Sequence, residues 1–350
     1  MKILHTSDWH LGHTLYNYDR TVEQQAFLRQ LTRIVTEEQP DAMVVSGDIY
    51  HYSSPAAATQ KMYTDAMLNI HQACPEMTIV VTAGNHDSSS KLEIDSNLWQ
   101  HFGLNVVGNI ERTAEEVNLD KHIIEINNEK KTKGYVIAVP HVYPQNFPLL
   151  DTETPRDQRQ ARFFQALLDE VKKRNTAQLP VVLMAHLSIE GSDRSGHDES
   201  IGGIEYVPLS AMGEGYDYLA LGHIHCPQDI KGSHHHARYC GTPLPVSFDE
   251  TYPHSVSIIE LEKGAEPQIS TREIENPIPL VTLPHDPTPF EDALKLLEEY
   301  PEEKPAYLRL NVLTKGYLPP DCNEKASNAA KGKACKYCYI KTTRERQADT

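Results

Sequence analysis

Five apolar segments of the chain each end in side chains that can bind a metal, and this repeated pattern constrains the fold most strongly. In one of them, Thr78–Thr82 is rich in β-branched residues and leads into Gly84-Asn85-His86-Asp87. Such a run, bounded by glycine, is typical of a strand buried on both faces. In open α/β sheets, ligands bind at the carboxyl ends of the strands. Alone, the tetrad is also consistent with a turn, because Gly, Asn and Asp are common turn residues.

The other four segments lead to further residues of the same types, which are Asp8 and His10, Asp48, His186, and His223 and His225. Side chains i and i+2 of a strand share a face, so we expect Asp8 and His10 to reach one metal together, and likewise His223 and His225. An isolated Asp-x-His is equally consistent with a capping aspartate beside a surface histidine. Five strand ends of this kind indicate one site.

The segments between these strand ends predict alternating strands and helices. Helical spacing of apolar residues covers 22–38 and 56–74, residues 104–143 are β-rich, and 151–175 is a charged amphipathic segment that predicts a helix. Strands alternating with helices at this spacing indicate βαβ units, mostly parallel pairing and an α/β fold. Residues 188–205 form a long polar segment, which predicts a functional or mobile loop.

A change in composition predicts a second domain. The length of 350 residues suffices for one large α/β core and a smaller domain. Prolines cluster between Pro277 and Pro289, which predicts a linker between a domain of residues 1–275 and another of residues 276–350. For the second domain we predict a short helix (290–300) and strands (306–313 and 336–341), a small α+β unit.

Two other groups of possible ligands give weaker signals. Cys335 and Cys338 form a CxxC pair without a second pair or nearby histidines, so we interpret them as structural. His234–His236 lie in a Gly-Ser turn, which predicts a solvated hairpin tip because a flexible tip lacks support for metal ligands.

The composition limits the classes of protein to which this chain can belong. The sequence contains no apolar run long enough to cross a bilayer and begins without a signal peptide, so we expect a cytoplasmic protein that does not bind membranes. The formal net charge of −16 argues against a generic nucleic-acid binder. Bound divalent metal ions or a basic partner protein could reverse the field locally.

The donor set narrows the kind of metal. Carboxylate, amide and imidazole ligands without a thiolate favour Mn, Fe or Zn. One carboxylate could bridge two ions, and Asp48 sits in the middle of the set. Two ions roughly 3.5–4 Å apart form a clamp for phosphoryl displacement.

These motifs together resemble a known family. Asp-x-His, Gly-Asp, Gly-Asn-His-Asp, a single His after an apolar strand, and Gly-His-x-His are similar to the signature of the calcineurin-like metallophosphoesterases. Residues 3–12, 220–225 and 239–250 also resemble the SbcD family, the nuclease subunits of bacterial double-strand-break complexes. The resemblance covers residues 1 to about 275. It implies a β-sandwich flanked by helices, with a small α+β capping domain.

The resemblance also implies roles for individual residues and two divalent ions, Mn²⁺ by preference. It assigns the first ion to Asp8, His10, Asp48 and His225, and the second to Asp48, Asn85, His186 and His223. It implies that His86 protonates the leaving oxygen, with Asp87 as its orienting partner, and that His51 lines the site. Imidazole ordinarily titrates near neutral pH, which suits this task.

The activity implied is Mn²⁺-dependent cleavage of DNA, as an exonuclease on duplex ends and an endonuclease on single strands and hairpins. Members of the family form homodimers and work with an SbcC-type coiled-coil ABC ATPase, which docks on a C-terminal region that we expect to be absent here. One alternative is a phosphodiesterase or phosphatase for a small substrate, which the negative charge favours. Another is a non-catalytic scaffold for DNA ends or the ATPase, which the eight intact motif positions disfavour.

Overall fold

The computed structural model describes residues 1–112, 117–128, 131–196 and 206–344. The strands, numbered along the chain, are β1 Lys2–Thr6, β2 Thr14–Leu15, β3 Tyr18–Asp19, β4 Ala42–Ser46, β5 Thr78–Thr82, β6 Leu104–Val107, β7 Ile123–Asn128, β8 Lys131–Ala138, β9 Val181–His186, β10 Ser188–Ile189, β11 Tyr206–Val207, β12 Tyr218–Gly222, β13 Gln228–Asp229, β14 Ala237–Tyr239, β15 Ser255–Glu260, β16 Gln268–Glu273, β17 Leu280–Thr288, β18 Tyr307–Thr314 and β19 Lys336–Arg344. The α-helices are α1 Thr21–Glu38, α2 Ala57–Ala73, α3 Ser89–Leu92, α4 Ser96–Trp99, α5 Arg159–Arg174, α6 Phe290–Glu298 and α7 Cys322–Ala330.

A first sheet has the order β16-β15-β1-β4-β5-β6 within the described ranges. The neighbours from β1 to β6 pair in parallel, whereas β15 and β16 are antiparallel additions at one edge. Every residue of β4 is buried, as expected for a parallel strand covered on both faces. The predicted βαβ connection of the first strands is confirmed, because α1 and α2 each join two parallel neighbours.

A second sheet, in the order β13-β14-β12-β9-β8-β7, faces the first across an apolar layer. Val44 and Val80 of the first sheet pack there with Val136, Val182 and Ala220 of the second. Helices α1 and α2 cover the outer face of the first sheet, and α5 covers that of the second. The α/β sandwich flanked by helices is therefore confirmed, and its core lies in three apolar layers.

A third sheet, β17-β18-β19, is formed by the C-terminal part of the described chain. Its strands are parallel, and α6 and α7 pack with them around a separate core that includes Leu294, Leu297, Leu308 and Leu310. A smaller cluster with Leu15, Phe248 and Tyr307 joins this C-terminal unit to the sandwich. The division into domains of residues 1–275 and 276–350 stays a prediction, and residues 345–350 lie outside the described ranges.

The prediction of a proline-rich linker is wrong for Leu280–Thr288, which forms strand β17, whereas Pro277 and Pro279 lie in the connection between β16 and β17. Pro284 and Pro287 are tolerated there because β17 is an edge strand whose pairing with β18 shifts between Leu283 and Thr288. Proline donates no backbone hydrogen bond, and edges and bulges are where sheets accept it. Helix α7 was not predicted.

Other predicted segments differ in detail. The segment predicted as helical over 151–175 becomes α-helical only at Arg159, after a 3₁₀ turn at Arg156–Gln158. Cys335 is buried in the core of the C-terminal unit, whereas Cys338 packs in the cluster that joins this unit to the sandwich. His234–His236 lie in the turn between β13 and β14. Residues 197–205 of the predicted polar loop lie outside the described ranges. No helix of the described chain has the length and apolar character that a membrane span requires.

Replacing Phe27 by alanine tests the packing of α1 on the first sheet. Phe27 is fully buried and meets the indole of Trp9 edge-on, with ring centroids 5.6 Å apart. We expect Phe27→Ala to lower the free energy of unfolding by about 3–5 kcal/mol, because it removes apolar burial and leaves a cavity. Urea denaturation measures this change. Val22→Ala, on the exposed side of the same helix, should alter it by less than about 0.5 kcal/mol; equal effects would contradict this placement of α1.

Candidate metal centre

His186 is the last residue of β9, whereas the other candidate ligands lie on loops after the strands, and four of these adopt backbone conformations that most residues avoid. Strand β1 ends at Thr6 and β12 at Gly222. The φ angles of Asp8, His10, Asp48 and His223 are positive, at 53°, 45°, 52° and 98°. The expectation that Asp8 and His10, or His223 and His225, share a face of a strand is therefore wrong. Left-handed turns, rather than strand alternation, bring these side chains together.

Hydrogen bonds between two neighbouring loops hold these turns. The N–H of Asp8 donates to the carbonyl of Gly47 over 2.9 Å, and that of His10 donates to the carbonyl of Asp48 over 3.0 Å. The ladder continues as Leu11 donates to Ile49 over 2.9 Å. Strained conformations persist where the surrounding structure over-determines them, and they cluster at functional sites.

Glycine is required where the loops approach most closely. A Cβ atom on Gly84 would collide with the carboxylate and backbone nitrogen of Asp48, and one on Gly47 would collide with the imidazole of His186. Gly47 also has a φ of +85°, which glycine adopts at no steric cost. Gly47 and Gly84, each of which precedes a predicted ligand, therefore permit the ligands of different strands to meet.

A first donor group is formed by Asp8, His10 and His225, which are all buried. One ligand atom of each lies within 4.8 Å of the others. The Nε2 atoms of His10 and His225 are 3.2 Å apart. The backbone N–H of His223 donates to the Asp8 carboxylate over 3.1 Å, which fixes its orientation.

A second donor group is formed by Asp8, Asp48 and His186, again with one atom of each within 4.8 Å of the others. Asn85 joins it, because its Oδ1 lies 2.9 Å from Nε2 of His186 and 3.0 Å from Nδ1 of His223. Asp48 lies between the two groups: its Oδ2 is 3.4 Å from Nε2 of His186 and 3.9 Å from Nε2 of His10.

The hydrogen bonds of His186 show that this group fits a cation. Nδ1 of His186 lies 2.8 Å from the carbonyl oxygen of Ser46, which can only accept, so Nδ1 carries the proton. In the neutral ring Nε2 is then an acceptor, and it faces the oxygens of Asn85 and Asp48, which are acceptors too. Converging lone pairs of this kind are stabilised by a proton or a metal ion. A histidine held by a carbonyl at its other nitrogen is the usual arrangement of a metal ligand.

The pKa values of the buried groups indicate the same demand for positive charge. Burial alone would lower the pKa of His186, but the Asp48 carboxylate raises it to about 9. Burial would raise the pKa of Asp48, but His186 and His10 hold it well below its usual range. Burial raises the pKa of Asp8 to about 6. A divalent cation would satisfy the two carboxylates without protonating the imidazoles.

Glu250 supports His225, although no sequence motif predicted a role for it. Its Oε1 accepts from Nδ1 of His225 over 2.9 Å, and its Oε2 accepts from the hydroxyl of Thr242 over 3.0 Å. Burial alone would lower the pKa of His225, but the Glu250 carboxylate raises it. The separation of 25 residues hides the pair from any local pattern, although Glu250 closes one of the segments that resemble the SbcD family.

The expected hydrogen bond between Asp87 and His86 is replaced by others. The Asp87 carboxylate accepts from the backbone N–H groups of Gly84, Ile49 and Tyr50, over 2.8, 3.1 and 2.9 Å. Nδ1 of His86 instead donates to the carbonyl of His51 over 2.9 Å. By accepting from these three N–H groups Asp87 fixes the loops that follow β4 and β5, and His51 takes the orienting position.

A cavity of about 250 Å³ opens over the donor groups. Its wall includes His10, Asp48, His51, Asn85, His86, His223 and His225, with Gly196, Val246 and Ser247. His13 also lines it, and its ring packs against His51 at 4.5 Å between centroids. His13 was not predicted, although its position three residues after His10 offered a signal. One nitrogen each of His10, His51 and His86 also lie within 4.8 Å of one another.

The structure thus places five of the seven candidate ligands and His86 in the wall of one cavity, and Asp8 and His186 in the donor groups beside it. It stays a prediction which of these residues bind metal. It also stays a prediction which of His10, His51 and His86 are metal ligands and which is the general acid.

Asparagine in place of Asp48 tests the position of this residue between the groups. We expect the wild type to bind two Mn²⁺ ions, and Asp48→Asn to weaken both binding events because the amide removes the charge that they share. Titration calorimetry with Mn²⁺ measures this loss. Asp41→Asn is a matched control, since Asp41 lies at the other end of β4 and accepts from Lys2 and Asn128. Loss of only one event in Asp48→Asn would contradict the shared position.

Comparisons with known proteins identify the family of the chain. A family model described as calcineurin-like phosphoesterase matches residues 1–227. The SbcD subunit of the SbcCD nuclease from Rhodobacter capsulatus is 33% identical over 309 residues, which are 85% of this chain and 75% of that protein. The corresponding SbcD subunit from Escherichia coli K12 is 29% identical over 330 residues, 91% of this chain and 79% of that protein.

Among solved structures, a dimetal phosphatase from Danio rerio is 13% identical and covers 79% of this chain and 97% of its own, with a TM-score of 0.46. The assignment of the family therefore rests on the sequence matches. The chain belongs to the calcineurin-like phosphoesterases and, within them, to the family of the SbcD subunits of SbcCD nucleases.

Proposed function

We propose that the chain hydrolyses phosphodiester bonds of DNA with two divalent metal ions, as the nuclease subunit of an assembly with an SbcC-type ATPase. The observation that carries the proposal is the convergence of two donor groups, which share Asp8 and have Asp48 between His10 and His186, with His86 in the wall of the same cavity. The relatives at 29–33% identity are named as nuclease subunits of an SbcCD complex, which supports DNA as the substrate and an ATPase as the partner.

The residues of the cavity divide between the two ions. Asp8, His10, Asp48 and His225 would hold one, and Asp48, Asn85, His186 and His223 the other. Imidazole with carboxylate and amide oxygens is compatible with Mn²⁺. When bound, the ions would neutralise the phosphoryl charge and activate the attacking water.

His86 has the surroundings of a general acid. Because Nδ1 donates to the carbonyl of His51, the ring orientation is fixed and Nε2 is left for proton exchange. As the phosphorus–oxygen bond breaks, the protonated ring would give its Nε2 proton to the departing alkoxide. Such a transfer contributes typically about 10²–10⁴-fold to the rate.

His51 keeps the wall beside His86 neutral. The two rings stack, with centroids 5.2 Å apart, and burial together with His86 lowers the pKa of His51 to about 4. At neutral pH the His51 ring therefore adds no positive charge next to the acid. Its backbone carbonyl, rather than its imidazole, performs the orienting role that was first expected of Asp87.

The acidic surface shapes how DNA would reach this site. A cavity of about 250 Å³ accommodates a scissile phosphate and its neighbours, whereas a duplex must lie outside it. With a net charge of −16, the chain would repel DNA except near the ions, so the ATPase would supply much of the grip. We propose further that residues 276–350 act as a capping domain that limits access, and that the protein works as a homodimer.

The His86→Ala variant tests the proposal on labelled linear duplex and single-stranded DNA with Mn²⁺, Mg²⁺ or EDTA. We expect cleavage with Mn²⁺, none with EDTA, and a kcat about 10²–10⁴-fold lower in His86→Ala, with both metals retained. His101→Ala, which changes an exposed histidine, should cleave like the wild type. A fully active His86→Ala would refute the role of His86 as the general acid. Loss of a bound metal ion in this variant would indicate that His86 is a metal ligand.

Inactivity on DNA would separate the remaining alternatives. If the wild type hydrolyses bis(p-nitrophenyl) phosphate but not DNA, the small-substrate phosphodiesterase gains support. If an added SbcC-type ATPase restores DNA cleavage, the result would instead support the nuclease. Binding of Mn²⁺ without hydrolysis of either substrate, with or without the ATPase, would favour the scaffold.

A further inference from the structure

We propose that Glu250 is a positioning residue for His225, and that the C-terminal unit holds Glu250 in place by binding its neighbour Asp249. The inference rests on the proposed metal site, and it makes docking of β17–β19 a condition for the complete geometry of that site.

The Glu250 carboxylate is wholly used inside the sandwich. Its side chain is inaccessible to solvent, and its two oxygens accept from His225 and from Thr242. Since Nδ1 of His225 donates to Glu250, the tautomer is fixed with Nε2 directed at His10. Glu250 therefore determines which nitrogen of His225 faces the first donor group. Carboxylates that support a histidine ligand in this way contribute strongly to metal affinity.

The chain that leads to Glu250 follows the wall of the cavity and is anchored along its length. The carbonyl of Pro245 accepts from the guanidinium of buried Arg20 over 2.6 Å. Val246 and Ser247 line the cavity itself. Phe248 then packs edge-on against Tyr339 of β19, with ring centroids 5.7 Å apart. The segment 245–250 thus connects the site to the C-terminal unit.

Arg309 of β18 is the main polar anchor between the two parts. Only 6% of its side chain is exposed, and Nη1 donates to the Asp249 carboxylate over 2.7 Å. Nε donates to the hydroxyl of Thr282 over 2.8 Å, and the guanidinium lies 5.3 Å from the ring centroid of Phe248. Lys341 of β19 adds a second cation 3.3 Å from the same carboxylate. Both cations come from the C-terminal unit.

The coupling follows from the covalent chain. Asp249 and Glu250 are consecutive, so their Cα atoms are about 3.8 Å apart and cannot move independently. Release of Asp249 would let the Glu250 backbone shift, and a ligand shell tolerates displacements of only about 0.5 Å. Close packing also limits movement, because a Cβ on Gly196 would lie 2.8 Å from Cγ of Glu250. The position of the C-terminal unit is thus transmitted to His225 through two adjacent acids.

Mn²⁺ binding to four variants of the full chain tests the inference, with calorimetry on Mn²⁺ alone and no substrate. His225→Ala first identifies which of the two binding events depends on His225. We expect Glu250→Ala to weaken that event about 10–100-fold and to leave the other unchanged. Arg309→Met should weaken the same event about 2–30-fold. In the double variant the loss should equal that of Glu250→Ala alone, because Arg309 acts through Glu250.

Two control variants distinguish the loss of His225 positioning from a general loss of stability. Glu93→Gln changes a partly buried glutamate that accepts backbone N–H groups, from Gly108 and Asn109, at the edge of the first sheet. Lys325→Met removes an exposed cation from the C-terminal unit, where Lys325 of α7 pairs with Asp321, the residue just before this helix. Both should bind Mn²⁺ like the wild type. If Glu250→Ala does not fold, Glu250→Gln can replace it, since its amide oxygen still accepts from His225 and the loss should be about tenfold or less but measurable.

The outcomes distinguish this inference from the proposed function. A wild type that binds no Mn²⁺ would refute the metal site itself. Unchanged binding of both ions in Glu250→Ala or Glu250→Gln would refute only the role of Glu250. Losses that multiply in the double variant would show that Arg309 acts by another route, and would refute the coupling through Asp249.

Discussion

The burial of two carboxylates among lone pairs of imidazole and amide groups is the constraint on which the site depends. Asp8 and Asp48 are nearly inaccessible to solvent, and the described residues that line the cavity include no lysine or arginine. An unpaired buried charge is costly, so the folded protein requires cations at this position. The proposed chemistry depends on the same requirement, because bound divalent ions would neutralise this negative field and let a phosphodiester approach an otherwise acidic protein.

The side chains that would bind these cations are carried by a strained backbone. Four of the candidate ligands adopt left-handed backbone conformations that only a rigid environment sustains. The parallel strands of the sandwich provide that environment, since their carboxyl ends deliver the loops to one edge. The Asp87 carboxylate then ties the loops together by accepting three backbone N–H groups. A change that destabilises the sandwich would therefore also disturb the geometry of the site.

Much of this arrangement could be predicted from the sequence, because strand ends carry a local signal. The apolar run before His186 predicted both a buried strand and a ligand at its end. Contacts formed by distant segments carry no such signal, so the role of Glu250 was missed and Asp87 was given the wrong partner. The proline-rich segment was interpreted by composition alone, whereas its position at the edge of a sheet allows Pro284 and Pro287 within a strand.

Crystallography at the manganese absorption edge tests the central claim most directly. In crystals grown with Mn²⁺, we predict two anomalous peaks about 3.5–4 Å apart. One should lie among Asp8, His10 and His225, and the other among Asn85, His186 and His223, with Asp48 between them. A single peak surrounded by His10, His51 and His86, or no peak within the cavity, would contradict the account.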